Sequence, residues 1–389
     1  MAVVEAQETR VVVSAQQERA LPVVRWIEAA WFPWFWMGVW AVMNATDALV
    51  SWHFVVSGGA LLRSSGQLGG LHLYATHPEL QMGPLTFLVA APLSAIPEWV
   101  SGLLASVAIA AAGPLLLHAV SRLPQVNVTA RQRGLAAVVL MPVWAELAIH
   151  YTHLDDALAL ALLVAALHAV SRGRAATAAL LLAASADAKP WALAFVPVLL
   201  ALPRERWQRA AWSWVAGIAL AWLPFVIADP ATLHAGRFSI PNVASSSLRP
   251  FGVTSPETPV WDRPAQVLLG VALGLVAVLR RRWIVVPALV LAVRMLLDPG
   301  TYPYYTSGLV LATVIADLLW RRTRWPWLSM IVVAGLYVPR HLGPLTPTDA
   351  GLGVLRAATL LLVIAVTLGP DWRVVARRLT SWVGDAVSS

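Results

Sequence analysis

Residues 99–120, WVSGLLASVAIAAAGPLLLHAV, decide the fold class because they contain no Asp, Glu, Lys or Arg. About 20 apolar residues in a helix cross the ~30 Å hydrocarbon core of a bilayer. The whole chain shares this character: of its 389 residues, 59% are hydrophobic and only 12% are charged. Ordinary soluble domains have about 25% charged residues. The sequence therefore predicts an integral membrane protein and excludes a soluble enzyme, a disordered chain and a disulfide-rich secreted domain.

The cysteine content and the net charge narrow the function classes further. The absence of cysteine excludes thiolate metal sites, iron–sulfur clusters and a cysteine nucleophile. In a soluble protein, the net charge of +8 would favour nucleic acid. In a membrane protein, arginines in cytoplasmic loops follow from the positive-inside rule. No basic stripe with interleaved aromatic residues lies outside those loops, so we expect no nucleic-acid partner.

Further apolar blocks predict an all-α, polytopic bundle of transmembrane helices. They cover residues 27–43, 135–149, 157–170, 175–186, 191–202, 210–228, 264–279, 285–296, 305–319, 327–338 and 352–368. Residues 83–96 form a shorter block that ends at a Pro-Glu pair, and we interpret it as a re-entrant piece leading into the 99–120 span. The prediction is about twelve crossings with both termini in the cytoplasm.

Arginine clusters between the blocks set the predicted orientation. The clusters are Arg10/Arg19/Arg25, Arg122/Arg131/Arg133, Arg172/Arg174, Arg204/Arg206/Arg209, Arg280/Arg281/Arg282, Arg321/Arg322/Arg324 and Arg373/Arg377/Arg378. The alternate loops contain most of the acidic residues and are predicted to face outward. The chain thus divides into a cytoplasmic tail (1–26), a transmembrane domain (27–370) with large outer loops at 44–82 and 229–263, and a second cytoplasmic tail (371–389).

The first outer loop contains the earliest candidate for chemistry, Asp47. Residues 47–62 mix apolar and polar side chains in a pattern that indicates an amphipathic helix along the outer interface. Asp47 lies at its start, directly after the first span. A carboxylate at the membrane–water boundary is a candidate base, but Asp is also a common helix N-cap. Its position in the sequence favours neither reading.

Three further outer segments carry candidate site residues. In HYTHLDD, residues 150–156, two adjacent carboxylates stand beside imidazoles, and a metal site, a base or a clamp for an acceptor hydroxyl are all open. Lys189 can pair with Asp187 or extend toward the interface, but a lysine where positive charge is scarce also suits a phosphate. Arg249 offers a second cation, and the tyrosines of residues 302–305 are also explained by an aromatic belt.

The order of these features resembles the C-type (GT-C) membrane glycosyltransferases, specifically the bacterial polyprenyl-phosphate-mannose-dependent mannosyltransferases. The resemblance spans most of residues 31–322. It is carried by the aspartate after one span, LYATHP (73–78) before GPL (83–85), SRGRAATAALLLAASADAKPWAL (171–193), RERWQR (204–209), NVASSSLRPFG (242–252) and a Pro-Tyr-Tyr turn. The family's usual Gly-Gln-x-Asn turn is absent, and His153-Leu154-Asp155-Asp156 stands in its place.

The resemblance implies an inverting transferase that moves a sugar, most often mannose, from a polyprenyl-phosphate donor to an extracytoplasmic glycolipid or glycan. It also implies that Asp47 is the catalytic base. We expect Lys189, Arg249 and Tyr304 to bind the donor phosphate. The expected contacts of the acceptor or sugar are His53, His77, His153, Asp155 and Asp156. No metal ligand and no cofactor are assigned, and a divalent metal stays open. The expected location is the bacterial plasma membrane, with an outward-facing site.

The main rival function is a secondary transporter or ion-coupled permease. Asp187 with Lys189, or Asp155 with Asp156, would then bind protons or coupling ions. No internal repeat is visible in the sequence, which disfavours an inverted-repeat transporter. A scaffold or a lipid flippase is a third reading, which predicts no specific base.

Overall fold

The computed structural model describes residues 22–124 and 127–369, and the regular structure of these residues is helical, without strands. Six helices are long and apolar enough to span a membrane. The helices in chain order are α1 Pro22–Glu28, α2 Phe32–Met43, α3 Trp52–Arg63, α4 Leu73–Thr76, α5 Pro84–Leu93, α6 Glu98–Ser121, α7 Ala130–Tyr151, α8 Leu154–Ser171, α9 Ala175–Ala188, α10 Arg204–Ala228, α11 Asp262–Leu279, α12 Trp283–Leu297, α13 Tyr305–Ile315, α14 Trp327–Val332 and α15 Asp349–Leu368.

The prediction of a helical membrane protein is confirmed at the level of class. The count of about twelve crossings stays a prediction, since several apolar helices are shorter than a full span. One predicted span, residues 191–202, forms a 3₁₀ helix, Pro190–Ala201. Residues 1–21 of the predicted N-terminal tail and the whole predicted C-terminal tail, 371–389, lie outside the described residues.

The ends of the helices gather at two faces. On the arginine face, Gln132 Nε2 donates to the Thr323 carbonyl at 2.9 Å, and Arg282 donates to the Gly369 carbonyl at 2.5 Å. The opposite face, here called the acidic face, contains the segments around Asp47, His153 and Lys189. Backbone and side-chain contacts join these segments, as described below. Short connections between antiparallel helices bring alternate loops to the same side, so this grouping follows from the connectivity.

Helices α12 and α13 form the centre of the bundle. Every side chain from Val286 to Leu296 and from Tyr305 to Ile315 is buried. In α10, by contrast, Leu220 is 81% exposed, and only two side chains between Trp207 and Ala228 are buried. A helix that is apolar all round and still exposed is stable only against lipid. The burial pattern thus separates the protein core from the surface that fits lipid.

The first large loop contains an amphipathic helix, as the sequence predicts, but the helix begins at Trp52. Its N-cap is Ser51, so the interpretation of Asp47 as the helix cap is wrong. Asp47 and Leu49 have φ values of 52° and 70°, and this left-handed backbone cannot continue into a helix. Residues such as Val55 and Gly59 face inward and are buried, while others, including Phe54, stay exposed.

Helix α5 corresponds to the short apolar block at 83–96. Its ten residues span about 15 Å, half of the ~30 Å hydrocarbon core. At its start, the Gly83 N–H donates to the Ala188 carbonyl at 2.9 Å, and Thr86 Oγ1 donates to the same carbonyl at 3.0 Å. The carbonyls in the last turn of a helix need outside partners. The Gly83–Thr86 segment therefore caps α9 beside Lys189.

Replacing Gly83 with Ala should destabilise this junction. An added Cβ would lie 2.0 Å from the Asp187 carbonyl oxygen, so the backbone of one segment must move. Overpacking of this kind typically costs about 1–3 kcal/mol, and thermal unfolding of the purified protein measures it. Gly38→Ala is the matched control, because nothing lies within 4 Å of a Cβ there. Equal melting temperatures for the two variants would contradict the close approach at Gly83.

The second large loop begins with a 3₁₀ helix, Pro230–Arg237, and is otherwise mainly irregular up to α11. Two of its serines, Ser246 and Ser247, are buried against the end of α12. Ser246 Oγ donates to the Asp298 carbonyl at 3.0 Å, and Ser247 Oγ donates to the Leu296 carbonyl at 2.8 Å. The Ser-rich stretch thus satisfies carbonyls that the helix end leaves without partners.

Candidate functional site

Four side chains form a buried ionic cluster, here called the tetrad: His153, Asp155, Asp156 and Lys189. Both aspartates lie in the first turn of α8, and Lys189 directly follows α9. Acidic side chains are favoured at a helix N-terminus and basic ones at a C-terminus. Because α8 and α9 are antiparallel neighbours, those two ends meet at the acidic face. Each of the four residues is less than 10% exposed.

The tetrad balances its own charge. The Lys189 ammonium donates a hydrogen bond to Asp155 Oδ2 and lies 3.5 Å from Asp156 Oδ2. His153 Nδ1 is 2.5 Å from Asp155 Oδ1 and 3.0 Å from Asp156 Oδ2. Buried charges are tolerated when they are paired in this way. The arrangement matches two anions with an ammonium and an imidazole.

The electrostatics of the two bases follow from this pairing. Burial alone would lower the pKa of Lys189, but the carboxylates of Asp155 and Asp156 outweigh it and raise that pKa above its usual range. Burial likewise lowers the pKa of His153, whereas Asp155 and Asp156 raise it, and the net direction is upward. The same two acids therefore shift both bases toward their charged forms.

An aromatic group covers the tetrad on one side. The Tyr304 ring stacks on the His153 imidazole, with centroids 3.7 Å apart and planes 22° apart. Tyr151 and Tyr302 lie 5.1 Å and 5.7 Å from Tyr304. Burial raises the pKa of Tyr304 well above its ordinary value, so its hydroxyl stays protonated. The predicted tyrosine turn, 302–305, is thus part of the same region as the predicted His150–Asp156 turn.

The ion-pair partner of Lys189 is Asp155, and not its sequence neighbour Asp187. Asp187 is two residues away, but the Lys189 backbone is extended, with φ of −141°, and its side chain points to Asp155. Asp187 instead contacts the Trp222 side chain, while its Oδ1 atom has no hydrogen-bond partner among residues 22–124 and 127–369. The expectation that Lys189 binds the donor phosphate stays a prediction, but the charge it would use is already balanced.

A metal site at this position must compete with Lys189. His153, Asp155 and Asp156 offer three ligand atoms that lie within 4.8 Å of one another. Carboxylates and imidazole suit several divalent metals. However, the Lys189 ammonium already contacts both carboxylates, and a dication between them would be repelled by it. The donor set therefore fits a resident ammonium better than a metal ion.

Asp47 lies on a turn that is attached to the end of α7. The N–H groups of Leu49, Val50 and Ser51 donate to the carbonyls of residues 149, 150 and 151, with lengths of 3.2, 2.9 and 3.0 Å. The Asp47 side chain is exposed, and no hydrogen bond or ion pair to it occurs within the described part of the chain. Strained backbone at a polar turn often marks a functional site. This carboxylate is free to meet a substrate.

The remaining predicted site residues lie elsewhere in the large loops. His53 is exposed on α3 and contacts Phe54, with ring centroids 3.9 Å apart. His77 Nδ1 lies 3.0 Å from Glu79 Oε1. The Arg249 guanidinium donates to the carbonyls of residues 254 and 242 at 2.7 and 2.5 Å, and it thereby braces its own loop. No contact among the described residues joins these three to the tetrad.

Sequence reasoning missed several buried charged residues at this face, among them Arg294 and Glu146. Arg294 lies over the Tyr305 ring at 3.9 Å and pairs with Asp298 at 3.7 Å. Glu146, in the π-helical end of α7, is only 7% exposed. A lone charged residue inside an apolar block is a functional signal, and residues 135–149 contain one. That signal was available for Glu146 and for Arg294.

Comparisons of the chain with protein-family models and with curated proteins found no match.

Proposed function

We propose that this protein is an inverting glycosyltransferase that transfers a sugar from a polyprenyl-phosphate donor to an extracytoplasmic glycolipid or glycan. The sugar is mannose in the commonest case of the family it resembles. In this proposal, about twelve helices cross a bacterial plasma membrane in a C-type arrangement, and the acidic face is outward. The observation that carries the proposal is the uncommitted Asp47 carboxylate on a strained turn at the face where buried charges converge.

Asp47 acts as the general base in this proposal. Its carboxylate accepts the proton of the acceptor hydroxyl while that oxygen bonds to the anomeric carbon. The bond from the anomeric carbon to the phosphate oxygen breaks, and polyprenyl phosphate leaves with the electron pair. Direct displacement inverts the anomeric centre, and one carboxylate is sufficient. Cationic groups stabilise the charge that develops on the departing phosphate.

In this proposal the tetrad lies close to the base, because both are attached to the same end of α7. Three backbone hydrogen bonds tie the Asp47 turn to residues 149–151, and the tetrad begins at His153. Tyr304, which stacks on His153, extends the same polar region and keeps a protonated hydroxyl that can donate to a phosphate or a sugar. Lys189 and Arg249 stay candidates for the donor phosphate within this proposal.

A second candidate function, a secondary transporter, is favoured by the tetrad itself. Buried acid–base clusters in membrane proteins commonly bind protons or coupling ions. The acidic groups of this chain gather at one face, whereas alternating access usually places its binding site near the bilayer midplane. The transferase therefore explains the arrangement better.

Purified protein in detergent separates the two functions. We expect transfer of the sugar from a mannosyl polyprenyl phosphate to an added glycolipid acceptor, measured as loss of the donor by mass spectrometry. A transporter would instead move a solute into proteoliposomes without changing the donor. Solute flux with an intact donor, across a panel of glycosyl donors and acceptors, would refute the transferase proposal.

A further inference from the structure

The end of α7 contains a buried carboxylate without a complete set of partners. Glu146 is 7% exposed, and its Oε2 atom has no hydrogen-bond partner within the described ranges. An unpaired polar atom in an apolar interior is costly. Glu146 also opens the π-helical segment Glu146–Tyr151, and π-bulges are frequent at functional sites. Glu146 Oε2 is therefore a candidate to accept a hydrogen bond from a ligand.

Arg340 is the cation that faces this carboxylate. It lies in the 3₁₀ segment Val338–His341, is half-buried and is within electrostatic reach of Glu146. The two side chains nevertheless form no ion pair within 4.0 Å. In the described ranges, the one hydrogen bond from the Arg340 guanidinium is a long one, 3.4 Å, to the Thr301 carbonyl. An acid and a base that interact electrostatically without forming an ion pair can both hydrogen-bond to the same polar ligand.

The segments that contain Glu146 and Arg340 are linked by hydrogen bonds to other segments of the acidic face. Val50 and Ser51, next to the Asp47 turn, donate to the carbonyls of His150 and Tyr151, one turn beyond Glu146. On the other side, Thr301 belongs to the turn that contains the tyrosines of residues 302–305. His341, which follows Arg340, is exposed and has one ring nitrogen 2.9 Å from the Tyr337 carbonyl. A ligand bound by Glu146 and Arg340 would thus lie at the end of α7 to which the Asp47 turn is attached.

Four other cations near this face are already engaged. Lys189 balances Asp155 and Asp156 in the tetrad. Arg249 braces its loop, and Arg294 pairs with Asp298. Arg356 is buried and donates twice to the Met295 carbonyl, at 3.2 and 3.0 Å. Arg340 keeps more of its donors available, and an arginine fork is well suited to a phosphate.

We infer that Glu146, Arg340 and His341 bind the head group of the lipid-linked donor. Arg340 and His341 contact the phosphate, and Glu146 accepts hydrogen bonds from sugar hydroxyls. This assignment rests on the proposed transferase function. In it the donor phosphate is bound by Arg340, which has N–H donors without partners among the described residues, and not by Lys189, whose charge is balanced by Asp155 and Asp156.

Binding of farnesyl phosphate to the full-length protein in detergent tests the phosphate contact. Arg340→Met should weaken binding about tenfold to hundredfold, the loss expected for a charge-assisted contact. The control variant Arg63→Met, at an exposed arginine of α3, should bind farnesyl phosphate as the wild type does. Farnesol, which lacks the phosphate, is the control ligand, and neither substitution should change its binding. Inorganic phosphate that binds as tightly as farnesyl phosphate would show a free-phosphate site and overturn the lipid assignment.

Glu146→Gln tests the sugar contact separately. It should weaken binding of mannosyl farnesyl phosphate and spare farnesyl phosphate; equal effects on both probes would overturn this role. If Arg340→Met does not fold, Arg340→Lys and His341→Gln replace it, and unchanged binding in both rejects the phosphate site. Wild-type protein that binds no farnesyl phosphate also rejects it. If Arg340 is needed for farnesyl phosphate binding but the protein transfers no sugar, the binding site is supported and the proposed transferase function is refuted.

Discussion

Asp47→Asn is expected to lower the rate of sugar transfer by about two to four orders of magnitude, the usual contribution of a general base. The amide cannot accept a proton at neutral pH. Folding should be unaffected, because Asn adopts the left-handed backbone of residue 47 as readily as Asp. The side chain is exposed and makes no described contact whose loss would destabilise the protein. Steady-state transfer rates and melting temperatures of the purified proteins measure both effects.

Two further substitutions control for the shape of the turn. Asp47→Gly accepts the positive φ and lacks a base, so it should match Asn in both stability and low activity. Asp47→Ala should lose up to about 1–2 kcal/mol in addition, because alanine tolerates a left-handed backbone less well than Asp and Asn do. A folded Asp47→Asn or Asp47→Gly protein with most of the wild-type rate would remove Asp47 from the mechanism.

Lys189→Met is expected to destabilise the protein by about 3–5 kcal/mol, the effect of removing one partner from a buried ion pair. Asp155 and Asp156 would keep only the His153 imidazole as a close counter-charge, and both side chains are less than 10% exposed. The yield of folded protein and its melting temperature in detergent should both fall. A loss of stability of this size would show that Lys189 acts as the structural counter-ion of Asp155 and Asp156.

A double substitution provides the matched comparison. Lys189→Met with Asp155→Asn removes one charge of each sign, so it should recover part of the stability that the single change loses. A different pattern would support the phosphate role of Lys189: a stable Lys189→Met protein that has lost affinity for the donor. Measuring farnesyl phosphate binding alongside the melting temperature separates these results.

Several site residues could be predicted from the sequence, but their partners could not. His153, Asp155, Asp156, Lys189 and Tyr304 are each recognisable as polar groups at the ends of apolar blocks, and the structure brings all five together. Their contacts join residues up to 151 positions apart, from different helices. Such pairings depend on which helices are neighbours, and local pattern does not contain that information.

The incorrect interpretation of Asp47 and the omission of Glu146 have the same physical cause. Asp47 looks like a helix cap because the apolar pattern starts there, yet hydrogen bonds to residues 149–151 hold residues 49–51 outside the helix. Glu146 appears to be one interruption in an apolar block, and only the fold shows that Arg340 approaches it. In both cases a distant segment sets the local conformation or the electrostatic environment.

The sequence by itself determined that this is a helical membrane protein, because transfer of apolar side chains out of water is summed residue by residue and needs no knowledge of neighbours. It also marked which ends of the helices are polar. Only the tertiary structure decided that Lys189 neutralises Asp155 and Asp156, that Asp47 is exposed, and that Glu146 and Arg340 stand apart. Charge–charge interactions act over a few ångströms in space, and the antiparallel packing of α7, α8 and α9 with the large loops sets those distances.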